Sequence, residues 1–367
     1  MKNYCAVILI FLNCFSCGVD KGDHEIIDFF DTALEINAKV YDSIGFFQKP
    51  NQLDIVSDSL LIAFSNLSGL SIYHLHTGNQ LDFIDFKQGQ VRNYFFSAFD
   101  AKNYPLIYFL EPRKKAVVIY NAEEKQVIRL VNLELDKENS IRVIGGKFKV
   151  YNNEYFVELE PSGIPMIDVN YYKKSDRFLG VFGENGSQKR KILEYPKAMK
   201  DPAFFFIPAN YYSFDIFNEQ LFICFPFEKH IKVFDLNSDF KDYRTIKLPE
   251  LESVDLSMQK IPTKFHPKDY PIEQRLIGPI ADKLLISENG QIYLSLVIND
   301  NINSDRFREY VTVWRYDTFQ GIWSVLKEPV DYFDLGNFAG VDGDLLYFFD
   351  AAVVSKDEKY INAIRMK

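Results

Sequence analysis

Disulfides can hold little of this chain together. Four cysteines are spread over 367 residues, at Cys5, Cys14, Cys17 and Cys224, too few for a disulfide scaffold. The five histidines, His24, His74, His76, His230 and His266, are scattered; only His74 and His76 share a strand face, and two imidazoles alone do not close a metal site. No acidic, glycine-containing calcium loop occurs, since Asn299-Asp300-Asn301 with Asp305 has neither the glycine nor the terminal glutamate. There is no Gly-x-Ser-x-Gly elbow, Walker loop or dinucleotide glycine loop. The sequence therefore names no catalytic residue, metal or cofactor. No apolar run reaches the ~20 residues of a membrane-spanning helix. Basic side chains are outnumbered, 42 against 51 acidic, which argues against nucleic acid as a partner.

The first residues carry one positive charge at Lys2, an apolar stretch from Cys5 to Leu12, and then Asn13, Cys14, Phe15, Ser16, Cys17 and Gly18. That is the pattern of a secretory signal. A cysteine directly after the cut separates a lipoprotein signal from an ordinary one, because its thiol takes a diacylglycerol and its freed amine a further acyl chain. Cys17 fits, although Cys14 stands where leucine is usual and Phe15 is bulky. The expected organisation is a lipoprotein signal peptide over 1–16, a tether over 17–25 and one folded domain over 26–367, held to a membrane by the lipid on Cys17. An acylated Cys17 cannot pair, so Cys224, in the apolar run Leu221-Phe222-Ile223-Cys224-Phe225, reads as a buried small hydrophobe.

Aromatic residues are abundant, with 34 Phe and 22 Tyr, and they suit pleated surfaces. A repeat carries many of them: an apolar strand, a second strand ending in an aromatic followed by Asp or Asn, a polar turn, and a third strand. The first-strand anchors are Leu60, Leu106, Tyr155, Leu221, Ile292 and Leu345. Clear second strands end at Tyr73-His74, Tyr120-Asn121, Phe234-Asp235 and Tyr316-Asp317. A degenerate third copy offers Met166-Ile167-Asp168 followed by Phe178-Leu179-Gly180-Val181. An Asp or Asn at a strand end can accept a hydrogen bond from backbone two residues on and so begin the turn. The shortest anchor spacings match a four-stranded blade of about 40–50 residues. Blades in a ring cover each other's faces, so the expected fold class is all-β, a β-propeller of six blades. The sixth copy runs out of chain, and a strand from the region 26–47 is expected to complete it. A pair of β-sandwiches or an open array is the competing arrangement.

Two stretches exceed the blade length, 184–212 and 252–283, the second containing Pro262, Pro267, Pro271 and Pro279. A shorter polar stretch covers 299–308. Long loops on a rigid scaffold commonly carry binding, so the candidate ligand-binding residues are Tyr270, Arg275, Arg306, Arg308 and Tyr310, which combine broad contact with directional hydrogen bonds. Arg113-Lys114-Lys115 and Lys189-Arg190-Lys191 read as solvated turn tips, and Gly145-Gly146 and Gly183 as turn glycines.

The relaxed lipobox ending at Cys17, the strand pair around Phe225-Pro226-Phe227 with Val233-Phe234-Asp235-Leu236, and the segment from Tyr310 to Asp317 together resemble an uncharacterised family of Bacteroidetes lipoproteins, a domain of unknown function with a six-bladed, TolB-like propeller fold. The resemblance implies a cell-envelope lipoprotein of the outer membrane, on its periplasmic or surface face, and it brings no catalytic residues. It also implies O-glycosylation of Asp-Ser/Thr-apolar triplets, which Asp31-Thr32-Ala33, Asp42-Ser43-Ile44 and Asp58-Ser59-Leu60 fit, while Asp20, Asp23 and Glu25 form only a weak surface-export signal beside Lys21. The function expected is non-enzymatic binding or scaffolding of a protein, peptide or glycan partner through one propeller face. The alternative is an exported lyase or hydrolase acting on envelope polymers or glycans from the central depression.

Overall fold

The computed structural model describes residues 26–28, 30–41, 50–57, 59–165, 168–206, 212–258, 260–265, 279–300, 308–326, 328–350 and 358–366. They form six small antiparallel sheets arranged as a six-bladed β-propeller. Blade 1 runs through Gln52–Val56, Leu60–Ser65, Gly69–His74 and Gln80–Asp85, from inner to outer strand. Blade 2 uses Ala98–Asp100, Leu106–Glu111, Ala116–Asn121 and Gln126–Asn132. Blade 3 uses Phe148–Tyr151, Glu154–Pro161, Leu179–Phe182 and Gln188–Ile192. Blade 4 uses Ser213–Phe217, Gln220–Phe225, His230–Asp235 and Arg244–Lys247. Blade 5 uses Ile280–Ile286, Ile292–Asp300, Arg308–Asp317 and Ile322–Val325. Blade 6 takes Asn337–Asp342, Leu345–Asp350 and Tyr360–Met366, and its outer strand is Phe30–Lys39, paired antiparallel from Phe30↔Met366 to Lys39↔Tyr360.

Every sequence anchor lies on the second strand of its blade, not on the first. The apolar runs stand out there because these strands are covered on both faces; Leu61, Ile62, Ala63 and Phe64 are all fully buried. The strand-end polar residues act as the spacing predicts. Asn121 Oδ1 accepts from the amides of Glu123 and Glu124, Asp235 Oδ1 from Asn237, and Asp317 Oδ1 from Phe319 and Gln320. In blade 1 His74 substitutes for the carboxylate, its Nδ1 accepting from the His76 amide at 3.3 Å.

The third copy was misaligned in the sequence reading. Its third strand is Leu179–Phe182 and its outer strand is Gln188–Ile192, while residues 166–167 lie outside the described residues. Lys189-Arg190-Lys191 is therefore a strand, not a turn tip: Lys189 pairs with Glu154 at 2.6 Å and Lys191 with Asp136 at 3.2 Å. The overlong stretches are also not simple loops. Phe204–Phe206 from the first pairs antiparallel with Lys260–Pro262 from the second.

The core follows the blade junctions. Six apolar clusters occupy the seams, one each between blades 1 and 2, 2 and 3, 3 and 4, 4 and 5, 5 and 6, and 6 and 1. Blades 1 and 2 share a packed aromatic group in which the rings of Phe96 and Phe109 stack at 4.5 Å and those of Phe86 and Phe96 meet edge-on at 4.9 Å. Cys224 is fully buried in the seam between blades 4 and 5, and burial pushes its thiol well above the ordinary range.

A rim contact recurs where an outer strand ends against the next blade. After the blade 2 outer strand, the Glu134 amide donates to Gly186 O in the blade 3 turn, and Arg129 donates to Glu184. After Phe30–Lys39, the Tyr41 amide donates to Gly78 O in the blade 1 turn and Tyr41 O accepts from Gln80. Both turns need glycine for space as well as for positive φ: a Cβ on Gly186 would collide with Asn132 O, and one on Gly78 with Lys39 O.

Gly78→Ala is thus expected to destabilise the fold by about 2–3 kcal/mol. Gly89 has a similar φ, +62 against +70, with nothing within 4 Å of the added carbon. Gly89→Ala should cost only the backbone term, about 1–2 kcal/mol. Urea denaturation of the two variants side by side measures the difference.

Candidate functional site

The inner strands surround a central cavity of about 310 Å³. It is lined at their starts by Asn51, Gln52 and Asp54 of blade 1, Ser97 beside blade 2, Ile144 to Lys149 of blade 3, Ser213 of blade 4, Asp282 and Lys283 of blade 5 and Asn337 of blade 6. Apolar side chains such as Leu53, Phe148, Phe214, Ile280 and Phe338 alternate with these polar groups along the wall.

Several of these polar groups, with Asp100 and Asp215 beside them, join one blade to the next. The Gln52 amide donates to Phe99 O at 2.7 Å and accepts from Phe99 N at 3.2 Å. Asp100 Oδ2 accepts from Val150 N at 3.0 Å, and Lys149 Nζ lies 3.2 Å from Asp215 Oδ1. Ser213 Oγ and Asp215 Oδ2 accept from the amides of Leu284 and Ile286, both at 2.9 Å. Lys283 then reaches across two seams, donating to Ala339 O of blade 6 and to Leu53 O and Asp54 Oδ1 of blade 1 at 2.9 and 3.0 Å. Burial opposes the charge on Lys149, yet Asp215, Asp54 and Asp100 hold its ammonium above the usual range. Burial raises the Asp100 carboxyl, against the pull of Lys149.

Blade 3 supplies the one segment that bulges into the cavity. Asn139–Ile141 and Phe148–Tyr151 both pair with Glu154–Pro161, so residues 142–147 are pushed out between them. A buried ion pair braces the bulge: Arg142 donates to Glu158 Oε1 at 2.7 Å and to Ile144 O at 3.0 Å, and Glu158 Oε2 accepts from the Lys147 amide at 2.9 Å. Arg142 is 2 % exposed and Glu158 fully buried, beside the buried Tyr171, Tyr172, Tyr195 and Tyr212. Gly145 has φ +64; Gly146 is needed for space, because a Cβ there would lie 2.7 Å from Arg142 O. The bulge presents Ile144, 72 % exposed, and Lys147, whose ammonium is pushed below the usual range by burial, with Arg142 and Lys149 adding to the effect and Asp282 and Glu158 opposing it.

The two ends of the ring differ. At the end away from the cavity every connection is short, none longer than residues 236–243. At the cavity end lie longer connections, described over 168–178, 193–206, 248–258, 260–265 and 328–336. The Phe204–Phe206 ribbon with Lys260–Pro262 belongs to this end and ties together the connections that flank blade 4. The ammonium of Lys260 stands 5.6 Å above the Phe204 ring.

Of the residues singled out from sequence, Cys17, Tyr270, Arg275 and Arg306 lie outside the described residues. Arg308 pairs through its backbone with Asp300. Tyr310, half-buried, pairs with Ile298 and with Asp331 and does not line the cavity. Arg113-Lys114-Lys115 is a turn, as read, but its tip is anchored: Arg113 lies over Phe95 at 4.2 Å and Lys114 over Tyr94 at 4.0 Å. The cavity wall was missed. Its signal is an offset: Gln52, Lys147, Ser213 and Asn337 each stand eight residues ahead of an anchor, at Leu60, Tyr155, Leu221 and Leu345.

No family model matches the chain, and no curated protein does. Solved structures do. One is a protein of Bacteroides fragilis provisionally named as exported, 12% identical, covering 93% of this chain and 99% of its own at a TM-score of 0.55. That likeness is one of fold. Weaker matches are the WD40 repeats of RRP9, 10% identical over 91% of this chain and 100% of that one at a TM-score of 0.48, and a protein of unknown function from Bacteroides caccae, 11% identical over 78% and 83% at 0.42.

Two outcomes follow from the bulge. Glu158→Gln leaves the Arg142 guanidinium buried without its counter-charge and is expected to cost about 3–5 kcal/mol, and Arg142→Met added to it should recover part of that loss in chemical denaturation. Because the Lys147 ammonium is lower in the folded state than in the unfolded chain, the folded state binds fewer protons in the window between the two pKa values, and stability rises with pH there. Lys147→Met should therefore gain on the parent protein at pH 7, and the gain should shrink as pH approaches 10.5, the ordinary lysine value.

Proposed function

We propose that this chain is an exported lipoprotein, cut before Cys17 and acylated there, that binds a peptide, glycan or protein partner at the cavity end of its propeller without chemical turnover. The observation that carries this reading is the asymmetry of the ring. One end has only tight turns, whereas the other combines the central cavity, the long connections and the exposed Ile144. Scaffold-borne long connections around a concave centre are the usual setting for recognition. The ion pairs Lys149–Asp215 and Lys283–Asp54 each connect different blades, which gives the converging charges a structural purpose.

The signal-like first residues and the provisional name of the Bacteroides fragilis protein support export, and Cys17 supports attachment to the outer membrane. No helix among the described residues is long and apolar enough to cross a membrane. A second reading, an exported lyase or hydrolase, draws on one observation. The Lys147 amine in the cavity is easier to deprotonate than an ordinary lysine, which suits a base or nucleophile.

The two readings differ in a direct assay. Purified protein screened by thermal shift against envelope oligosaccharides and peptides is expected to show a stabilising ligand that is recovered chemically unchanged, with the shift lost in Ile144→Arg. Recovery of a cleaved product, abolished in Lys147→Met, would replace binding with catalysis. Cys17→Ala is expected to move the protein from the membrane to the soluble fraction.

A further inference from the structure

We propose that the tight-turn end of blade 5, with Phe319 at its tip, rests on the lipid bilayer, so that the anchored propeller holds its cavity mouth away from the membrane. This rests on the lipid attachment proposed at Cys17 and adds to it a direction.

The path of the first described strands carries the argument. Ile26–Asp28 pairs parallel with the outer strand of blade 5, from Ile26↔Trp323 to Asp28↔Val325. Phe30–Lys39 then continues as the outer strand of blade 6. The blade 5 outer strand begins just after the turn 318–321 and runs towards the cavity end, so the parallel partner does the same. The first described residue, Ile26, therefore lies beside that turn. Eight residues lie between Cys17 and Ile26, nine Cα steps that reach about 30 Å at full extension. The tether from Cys17 thus meets the described fold at the turn end of blade 5.

The turn itself is suited to a bilayer interface. Thr318-Phe319-Gln320-Gly321 carries no charge, so seating it in the headgroup region desolvates no ion. Phe319 is 97 % exposed, the highest among the exposed large apolar side chains described. Its backbone is fixed, because Asp317 Oδ1 accepts from the amides of Phe319 and Gln320 at 2.8 and 2.9 Å. The neighbouring Thr318 hydroxyl donates to Gly290 O at 3.1 Å, which ties this turn to the short turn between the inner and second strands of the same blade. A ring presented rigidly into solvent, on an uncharged tip next to a lipid tether, has the chemistry of an interfacial anchor. The competing apolar side chain is Ile144, 72 % exposed, at the opposite end. The position of Ile26 decides between them.

The test uses the full acylated chain, purified from a host that processes lipoproteins and reconstituted into phosphatidylcholine vesicles with brominated acyl chains. Trp314 and Trp323 are fully buried, so they give a constant background. Phe319→Trp and Ile144→Trp each add one emitter, and melting curves matching the parent confirm that both fold. Flotation with the vesicles reports the anchor, and quenching reports the orientation. The expected result is flotation of both variants, loss of most of the added emission in Phe319→Trp, and none in Ile144→Trp. Flotation with Ile144→Trp quenched, with both quenched, or with neither quenched overturns the orientation while leaving the anchor standing. Failure to float, with the same distribution as Cys17→Ala, overturns the anchor and the proposed bilayer contact together.

Discussion

A short twisted sheet that is apolar on both faces has no stable existence alone, and the structure turns on that constraint. Each blade is covered by its two neighbours, and each of the six seams has its own apolar cluster. The aromatic richness of the chain is spent there, on rings such as Phe64, Phe96, Phe99 and Phe109 between blades 1 and 2 and Phe178, Tyr195, Tyr212 and Phe225 between blades 3 and 4. Large planar side chains fill a wedge-shaped space with few rotatable bonds, which limits the entropy lost on ordering.

Towards the axis the wedge narrows, and the contact changes character. There polar side chains join the apolar ones along the cavity, and directional bonds supplement packing. Gln52, Asp100, Ser213 and Asp215 each grip backbone of the following blade, and Lys283 spans three blades. Gln52, Ser213 and Lys283 therefore join neighbouring blades and line the cavity at once. Blade 3 joins blade 4 through Lys149 and Asp215, and it also extends the Arg142–Glu158 bulge into the centre, where Ile144 and Lys147 line the cavity.

The fold was legible because second strands, such as Leu106-Ile107-Tyr108-Phe109-Leu110, are covered on both faces and read as unbroken apolar runs, and because Asn121, Asp235 and Asp317 mark the turns that follow third strands. The inner strands were not legible. Ala98–Asp100 is three residues long, and Gln52–Val56 and Ser213–Phe217 mix polar and apolar side chains because one face meets the cavity. Since those strands carry the wall, the sequence hides the site with them, and the proline-rich stretch around Tyr270 and Arg275 stands out in its place. The third copy misled for another reason: the short helix Tyr171–Lys174 lengthens the connection between its second and third strands, where blades 1, 2 and 4 have a tight turn.

The outer strand of blade 6 pairs across almost the whole chain, with Asn37 Nδ2 donating to Asn362 Oδ1 at 2.7 Å over a separation of 325 residues. In order of synthesis this means that Phe30–Lys39, made near the start, has no sheet partner until the last described strand exists. During that interval Phe30–Lys39 offers an unsatisfied edge, which is where strands join wrongly. Assembly of this ring is therefore governed by its ends, and loss of a few C-terminal residues would be felt first at the N-terminus.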